Sequence, residues 1–251
     1  MTASEASIGG LWRYPVKSLQ GEPLERCRVT ADGVEGDRAW ALFDPATGYG
    51  LTARRVPELL FASARLQADG SVAVLGPDGG PLDSAKDVGE WLGRPVELRA
   101  ASEEAASNRL YENVVDPARE DGAWESFRGA SGAFHDSGEV RVSLVSTASL
   151  DGWDRRRFRA NVVFEGASED VLLGSRVRLG SADLAVGKRI SRCVMVNRAQ
   201  PGGIESDSGV LREIAREREN LLAVGATVVR PGEIAVGDRL TPLPGPRAGP
   251  L

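Results

Sequence analysis

Short runs of β-branched and aromatic residues recur through the first hundred residues, and Gly, Asp or Pro separates each run from the next. Runs of this length with such boundaries predict strands. Their regular spacing predicts a barrel or a sandwich. The predicted strands of this part cover residues 8–14, 24–30, 38–43, 59–67 and 71–75.

One predicted helix follows these strands. Asp83 or Ser84 can cap its N-terminus, the helix extends through Leu92, and Gly93 ends it. A further strand is predicted at residues 94–98. From residue 100 to 138 the chain is rich in Ala, Ser, Glu, Asp and Gly and shows little alternation, which predicts a connection made of loops.

A second block of alternating positions begins at residue 140. Its predicted strands cover residues 140–145, 161–164, 175–179, 183–186, 193–197, 226–230 and 233–240. The whole pattern predicts a mainly β (α+β) protein. We expect an N-terminal β-barrel-like domain at residues 1–104 and a second β-barrel with a few short helices at residues 105–251.

Two helices are predicted within the second block. The first begins at Ser146 or Thr147 and runs through the arginine cluster at 155–157. The second covers residues 210–217, where apolar residues spaced three and four apart form one face.

Net charge and the distribution of apolar residues argue against two classes of function, nucleic-acid binding and membrane insertion. The 251-residue chain has a formal net charge of −5, which argues against non-specific binding of nucleic acid. No apolar run approaches the roughly 18 residues that a membrane-spanning helix needs, and the first residues lack the features of a signal peptide. We therefore expect a cytoplasmic protein that contacts neither nucleic acid nor membrane, and that holds any anionic ligand in a local basic pocket.

The chain contains only two cysteines, Cys27 and Cys193, and one histidine, His135. A structural zinc site or an iron–sulfur cluster needs about four such ligands, so neither is expected. A disulfide between the cysteines is not expected in an intracellular chain. His135 is interpreted as structural.

Cys193 is the candidate for chemistry, because it lies in a basic stretch that contains Lys188, Arg189, Arg192 and Arg198. Neighbouring cations favour a thiolate, which attacks electrophiles and ligates soft metals. The alternative is that Cys193 is a small buried residue of a strand. The sequence pattern alone leaves both interpretations open.

Several motifs in a fixed order resemble one family. Residues 11–19 (LWRYPVKSL) and 33–40 (GVEGDRAW) are similar to the β-barrel domain that precedes a MOSC domain. Residues 146–150, 157–161, 192–193 and 232–238 resemble the MOSC domain itself, which is named for the C-terminal domain of molybdenum cofactor sulfurase. The family includes amidoxime-reducing proteins, which bind molybdopterin.

This resemblance implies a molybdenum–molybdopterin cofactor whose metal is ligated by Cys193, which would also be the catalytic centre. Arg159 and Asn161 are expected to share one face of a strand and to face the pterin phosphate. Two departures from the family pattern are Ala160, often Pro, and Val196, often Thr. The residues implied to bind the cofactor are Lys17, Ser18, Arg38, Ser146, Thr147, Arg159, Asn161, Arg192 and Asn197.

The implied reaction is the two-electron reduction of a small N-hydroxylated or related N–O compound. The cysteine count leaves no iron–sulfur domain in the chain, so electrons would come from a separate ferredoxin- or flavoprotein-type partner. One alternative is a sulfur carrier, in which Cys193 holds a persulfide from a separate pyridoxal-phosphate-dependent cysteine desulfurase. Another is a non-catalytic module that only binds pterin.

Overall fold

The computed structural model describes residues 6–105, 108–115 and 122–244. Strands dominate the described residues, which confirms the predicted mainly β (α+β) class. The strands of the N-terminal half are β1 (Ser7–Arg13), β2 (Glu22–Leu24), β3 (Arg26–Thr30), β4 (Gly33–Val34), β5 (Trp40–Phe43), β6 (Ser63–Leu66), β7 (Val72–Leu75), β8 (Pro81–Leu82) and β9 (Glu97–Ala100). Helix α1 (Ala85–Leu92) precedes β9.

The C-terminal half begins with a hairpin of β10 (Leu110–Val114) and β11 (Trp124–Arg128). The later strands are β12 (Val142–Ser146), β13 (Val162–Glu165), β14 (Arg176–Leu179), β15 (Ala182–Ser191), β16 (Leu221–Arg230), β17 (Gly232–Ala235) and β18 (Leu240–Leu243). The helices here are α2 (Thr147–Leu150) and α3 (Gly209–Arg218). Single 3₁₀ turns lie at Pro57–Phe61, Arg155–Arg157, Glu169–Leu172 and Val194–Asn197.

The largest sheet in the described part of the chain has eight strands in the order β18-β14-β15-β16-β12-β13-β1-β2. It curves into a half-barrel. A bridge between Ser7 and Arg239 joins the start of β1 to the residue before β18. The pair β12–β13 is parallel, and the other pairs are antiparallel. Strand β1, from the N-terminal half, therefore lies inside a sheet that the C-terminal half mostly builds.

Strand β12 is buried at every position because its two faces pack against different cores. Val142 and Leu144 face the core of the half-barrel. Val145 lies on the opposite face and packs with Leu211 and Ile214 of α3. The period-2 alternation of a strand places these residues on opposite sides. The β12 sequence, VSLVS, consequently carries no charged residue and only small hydroxyl side chains besides its apolar ones.

The N-terminal half has a third core, formed by sheets β5–β9 and β6–β7–β8 with α1. Ser84 caps α1 through a reciprocal bond with Asp87, and Gly93 ends it in the left-handed conformation with φ 66°. The predicted helix is thus confirmed. Met195, from the segment after Cys193, packs against this core and links it to the C-terminal half.

Several predicted elements are wrong in detail. The predicted strand at 59–67 begins as the Pro57–Phe61 turn and becomes β6 only at Ser63. The segment 100–138 contains the β10–β11 hairpin, in which Tyr111 and Phe127 stack with their ring centroids 5.7 Å apart. Glu and Asn residues between the apolar residues of these strands interrupt the alternation that would have predicted the hairpin.

The C-terminal half holds further corrections. The predicted helix through 155–157 stops at Leu150, because Asp151 adopts a positive φ of 44° and Gly152 follows it in the same region. The predicted strand at 193–197 is instead the Val194–Asn197 turn. The predicted strand at 233–240 is divided between β17 and β18. The division of the chain at residues 104 and 105 stays a prediction, since β1 and β2 share the large sheet with later strands and β3 pairs with β17.

Candidate functional site

Cys193 lies where β15 ends and the Val194–Asn197 turn begins. Its backbone is extended, the residue is half-buried, and its side chain makes no capping hydrogen bond to the turn. Both cysteines are free thiols. Cys27, on β3, instead packs against the core of the half-barrel, and burial raises the pKa of its thiol to about 11.

Arg192 precedes the thiol and reaches into the protein. Its Nε donates to the carbonyl of Leu222 at 2.7 Å, and its Nη1 donates to the carbonyl of Phe158 at 3.0 Å. Its Nη2 is buried and has no hydrogen-bond partner among the described residues. Burial lowers the pKa of the guanidinium to about 10, opposed by the nearby Cys193. Arg192 therefore keeps a shielded donor that no protein group satisfies.

Arg159 is a second shielded cation and is 9% exposed. Its Nη1 donates to the carbonyl of Leu19 at 2.5 Å, and its Cζ lies 4.4 Å from the centroid of the Tyr14 ring. It makes no ion pair within the described residues. Burial lowers the pKa of its guanidinium to about 10. Its φ of 53° is a strained value for a side-chain-bearing residue, as is often found at functional sites.

Asn161 does not share a strand face with Arg159, because β13 begins only at Val162. Its Oδ1 accepts from both the backbone N–H and the hydroxyl of Ser143, at 3.1 and 2.8 Å. Its Nδ2 donates to the carbonyl of Trp12 at 3.3 Å. The expectation of a shared strand face is therefore corrected: Asn161 ties β12 to β1 beside Arg159.

Asn197 also uses its amide inside the protein. Its Oδ1 accepts from the backbone N–H of Leu211 at 2.9 Å, in the first turn of α3. Its backbone carbonyl accepts from Asp207 at 2.8 Å. These bonds fix the end of the segment that begins at Cys193, which gives Asn197 a supporting position whatever its part in binding.

Ser146 and Thr147, both predicted to bind the cofactor, lie at the start of α2, one in the core and the other on the surface. Ser146 is fully buried, its hydroxyl accepts from the N–H of Ser149 at 3.0 Å, and its own N–H donates to Glu169 at 3.1 Å. Thr147 is exposed. Of the two, only Thr147 offers a polar group to a ligand.

Lys17 and Arg38 come from the N-terminal half and both carry carboxylate partners. The Lys17 ammonium, 7% exposed, bonds the carbonyl of Phe134 at 3.1 Å and pairs with Asp136, whose side chain is 84% exposed. Arg38 pairs with the buried Asp37. The charge of Lys17 holds the pKa of Asp136 well below its usual range.

Backbone strain accompanies these N-terminal residues. Ser18 has a φ of 71° and Arg38 a φ of 52°. The hydroxyl of Ser18 accepts from the N–H of Ala53 at 3.1 Å. Together with Arg159, three of the predicted cofactor-binding residues adopt the left-handed region.

Tyr14 joins the two halves of the cluster. The guanidinium of Arg38 lies 5.3 Å from its ring centroid and that of Arg159 lies 4.4 Å away. Its N–H donates to Asp37 at 2.8 Å. Burial raises the pKa of the phenol, while Arg159, Arg38 and Arg155 oppose that shift. The sequence argument missed Tyr14, although its place in the LWRYPVKSL motif was a usable signal.

His135, which the sequence analysis interprets as structural, lies near the cluster. It is 5% exposed, and its Nε2 is buried with no partner among the described residues. Burial, and then the charge of Arg38, lower its pKa to about 4. The imidazole is therefore neutral near pH 7 and adds no charge to the cluster.

A cleft of about 810 Å³ opens beside the cluster, between the two halves of the chain. Thr147, from the predicted site, and Tyr14, from the observed cluster, line the cleft, whereas Cys193 and Arg192 do not. Through Tyr14, the cleft adjoins the guanidinium of Arg159. The other lining residues include Trp12, Gln20, Phe61, Ser63, Trp153, Arg155, Arg156 and Pro201.

Within the described part of the chain, no three His, Cys, Asp or Glu side chains are grouped so that they could hold a metal ion. A metal at Cys193 would thus take its other ligands from a cofactor or solvent. The described helices include none long and apolar enough to cross a membrane.

Two family models match the chain. The model of the MOSC N-terminal beta barrel domain matches residues 5–109, and that of the MOSC domain matches residues 131–241. The chain belongs to the MOSC family. MOSC domains are associated with proteins that bind the molybdenum cofactor.

Solved structures show distant similarity. The YUAD protein from Bacillus subtilis is 13% identical, with 94% of this chain and 93% of that chain covered and a TM-score of 0.45. YiiM from Geobacillus stearothermophilus is 15% identical over 42% of this chain and 55% of that chain, with a TM-score of 0.34. YiiM from Escherichia coli is 16% identical over 44% and 57%, with a TM-score of 0.35. No protein with a curated description matches the sequence.

Proposed function

We propose that this protein binds a molybdenum–molybdopterin cofactor through Cys193 and reduces small N-hydroxylated or related N–O compounds. The observation that carries the proposal is the pair Arg159 and Arg192, two shielded guanidiniums that form no ion pair with the described carboxylates. Arg192 directly precedes the half-buried thiol of Cys193. Shielded cations without a counter-charge are costly, and an anionic ligand would offset that cost.

The residues fit this cofactor. A thiolate is a soft ligand, and Cys193 has no capping bond that would compete for its sulfur. Arg192 Nη2 is an unused donor beside it, suited to an anionic oxygen. Arg159 would neutralise the pterin phosphate together with Arg38. Lys17 would join them by exchanging the exposed Asp136 for the ligand.

The cofactor, when bound, would supply the two-electron chemistry. The reduction consumes two electrons and two protons, breaks the N–O bond, and releases the amine and water. A separate ferredoxin- or flavoprotein-type partner would deliver the electrons. Around that chemistry, the chain orients the cofactor: Asn161 and Ser143 lock β12 to β1, and Asn197 anchors the segment after Cys193 to α3.

Metal and pterin analysis of protein from a molybdenum-cofactor-competent host tests the proposal. We expect near-equimolar molybdenum and pterin in the wild type, loss of both in Cys193→Ser, and retention in Cys27→Ser. Equal loss in both variants, or neither component in well-folded wild type, would contradict the assignment of Cys193.

A sulfur carrier is the rival that the same thiol supports, because a half-exposed sulfur without a capping bond is also open to a persulfide. Incubation with a cysteine desulfurase and labelled cysteine separates the two functions. Labelled sulfane sulfur on Cys193, without turnover of an N–O compound by an electron-supplied protein, favours the carrier. Turnover without transferable sulfur favours the reductase.

A further inference from the structure

Aromatic side chains from both halves of the chain line the 810 Å³ cleft. Trp12, Tyr14 and Phe61 come from the N-terminal half, and Trp153 comes from the C-terminal half. Phe61 is 37% exposed, which is unusual for so large an apolar side chain. The volume is typical of small-molecule sites, which are usually concave and apolar with few polar groups.

The cleft also contains a cation that forms no ion pair with the described residues, although the Asp154 carboxylate, which pairs with Arg156, lines the same cleft. The guanidinium carbon of Arg155 lies 3.1 Å from the centroid of the Trp12 ring, and Arg155 makes no ion pair within the described residues. Burial lowers the pKa of this half-buried guanidinium. The next residue, Arg156, lines the same cleft but pairs with Asp154 at 2.7 Å and donates to the carbonyl of Pro201 at 2.8 Å. Arg155 is thus the open cationic position.

The cleft adjoins the proposed reaction site through Tyr14. This residue lines the cleft, and its ring also lies under the guanidinium of Arg159. Gly21 makes that position possible, because a Cβ at residue 21 would lie 2.6 Å from Cδ1 of Tyr14 and 2.3 Å from the carbonyl oxygen of Arg13. A molecule in the cleft would therefore be next to the cationic cluster.

We propose that the cleft binds flat aromatic molecules that carry a carboxylate, with the ring against Trp12, Phe61 and Trp153 and the carboxylate on Arg155. This inference rests on the proposed function, for which it names the substrate class: aromatic N–O compounds with an anionic substituent. A guanidinium recognises a carboxylate through charge-assisted bonds, and aromatic walls favour a flat ring over a saturated one.

Calorimetric titration of the cofactor-containing full-length protein with three probes tests the proposal. Benzoate has both the ring and the charge, cyclohexanecarboxylate has only the charge, and benzamide has only the ring. We expect benzoate to bind roughly tenfold more tightly than benzamide, since a charge-assisted bond contributes about 1.5–3 kcal/mol and 1.4 kcal/mol is tenfold. It should also bind several-fold more tightly than cyclohexanecarboxylate, since an aromatic pair contributes about 0.5–1.5 kcal/mol beyond burial.

Variants assign the effect to one side chain. Arg155→Gln should weaken benzoate binding roughly tenfold and leave benzamide unchanged, and Arg155→Lys should restore part of the loss. Arg212→Gln, at an exposed position of α3, is the matched control and should bind like the wild type. Equal affinities for the three probes, or no effect of either Arg155 variant, would overturn the proposal.

Three further outcomes separate this inference from the proposed function. Because the site for benzoate does not include the thiol, Cys193→Ser should keep benzoate binding even when molybdenum is lost. Benzoate binding by a wild type that holds no molybdenum would sink the proposed reductase and leave the carboxylate site standing. Benzoate binding that occurs only without cofactor would show that the pterin itself fills the cleft, and would overturn the inference.

Discussion

Two groups of buried charge in the C-terminal half differ in whether the protein supplies a counter-charge. Glu169 is fully buried and receives hydrogen bonds from Arg218 at 2.9 Å, from the N–H of Ser146 at 3.1 Å and from the N–H of Ala223 at 2.9 Å. Arg159 and Arg192 are shielded, and among the described residues their hydrogen-bond acceptors are neutral carbonyls. The protein supplies a counter-charge and hydrogen-bond donors for the Glu169 carboxylate, whereas the described residues supply no counter-charge for the two guanidiniums.

The difference separates structure from function. A buried charge that the protein satisfies holds elements together, and here Glu169 joins the end of β12, β16 and the end of α3. A buried charge that the protein leaves without a counter-ion costs stability and persists where a ligand completes it. Substitutions in the two groups should therefore have unlike effects.

The largest effect is expected for Glu169→Gln. The substitution removes the buried carboxylate partner of Arg218, which keeps its pair with Asp170 at 3.2 Å, and turns an amide NH₂ toward backbone donors. Breaking a buried pair typically costs about 3–5 kcal/mol, and the partial exposure of Arg218 favours the lower value, about 3 kcal/mol. Urea unfolding would measure the loss. Glu217→Gln, which alters an exposed ion pair on the same helix, should change stability little. If Glu169→Gln lowers the unfolding free energy no more than Glu217→Gln does, the contrast between Glu169 and the two arginines is wrong.

The Glu169 contribution should also depend on pH. Burial alone would raise the pKa of this carboxyl, but hydrogen bonds from Ser149, Ser146 and Ala223 outweigh burial and lower it from the usual 4.5. The stabilisation is then present above about pH 4.5 and is lost as the pH falls through the lower folded-state value. The difference in unfolding free energy between wild type and Glu169→Gln should be constant from pH 7 to 5 and shrink below 4.5. His135 titrates in both proteins and cancels in this difference.

A smaller effect should come from an added anion. Inorganic phosphate that binds the folded protein at Arg159 and Arg192 should raise the unfolding free energy by about 1.4 kcal/mol at ten times its dissociation constant. Thermal unfolding of cofactor-free protein at fixed ionic strength would show the shift. The Arg159→Met variant should lack it, and an equal shift in that variant would point to a general salt effect.

The smallest effect on stability is expected for Arg159→Met and Arg192→Met themselves. Each removes a shielded charge together with bonds to neutral carbonyls, so the unfolding free energy of the ligand-free protein should change by no more than about 1 kcal/mol. Molybdenum retention should nevertheless fall in both. A loss near 3 kcal/mol would mean that these guanidiniums act as structural groups like Glu169.

Local signals predicted much of the fold. The cap at Ser84 and the stop at Gly93 defined α1, and alternation located most strands of the large sheet. The segment after Cys193 was predicted wrongly because its β-branched residues favour a strand. In the structure Met195 packs on the N-terminal core and Val196 on the C-terminal core, and these contacts override propensity.

Motif order named Cys193 and several arginines as candidate site residues, and their membership of a site stays a prediction. Motif order could not show that Lys17 pairs with Asp136, or that the Asn161 amide is hydrogen-bonded to Ser143 and Trp12, because these partners are distant in sequence. Burial and pairing distinguish the open guanidiniums from the satisfied groups, and both arise only in three dimensions.

The position of β1 inside the large sheet has a consequence for how the chain folds. Leu11 pairs with Val162, about 150 residues later, and Cys27 of β3 pairs with Ile234. Contacts so distant in sequence slow folding, since a long loop must close before they form. During synthesis β1 has no partner on its β13 side until residue 165 has left the ribosome. Strand β1 can pair early with β2, but it gains its second neighbour only after more than half of the described chain has been made.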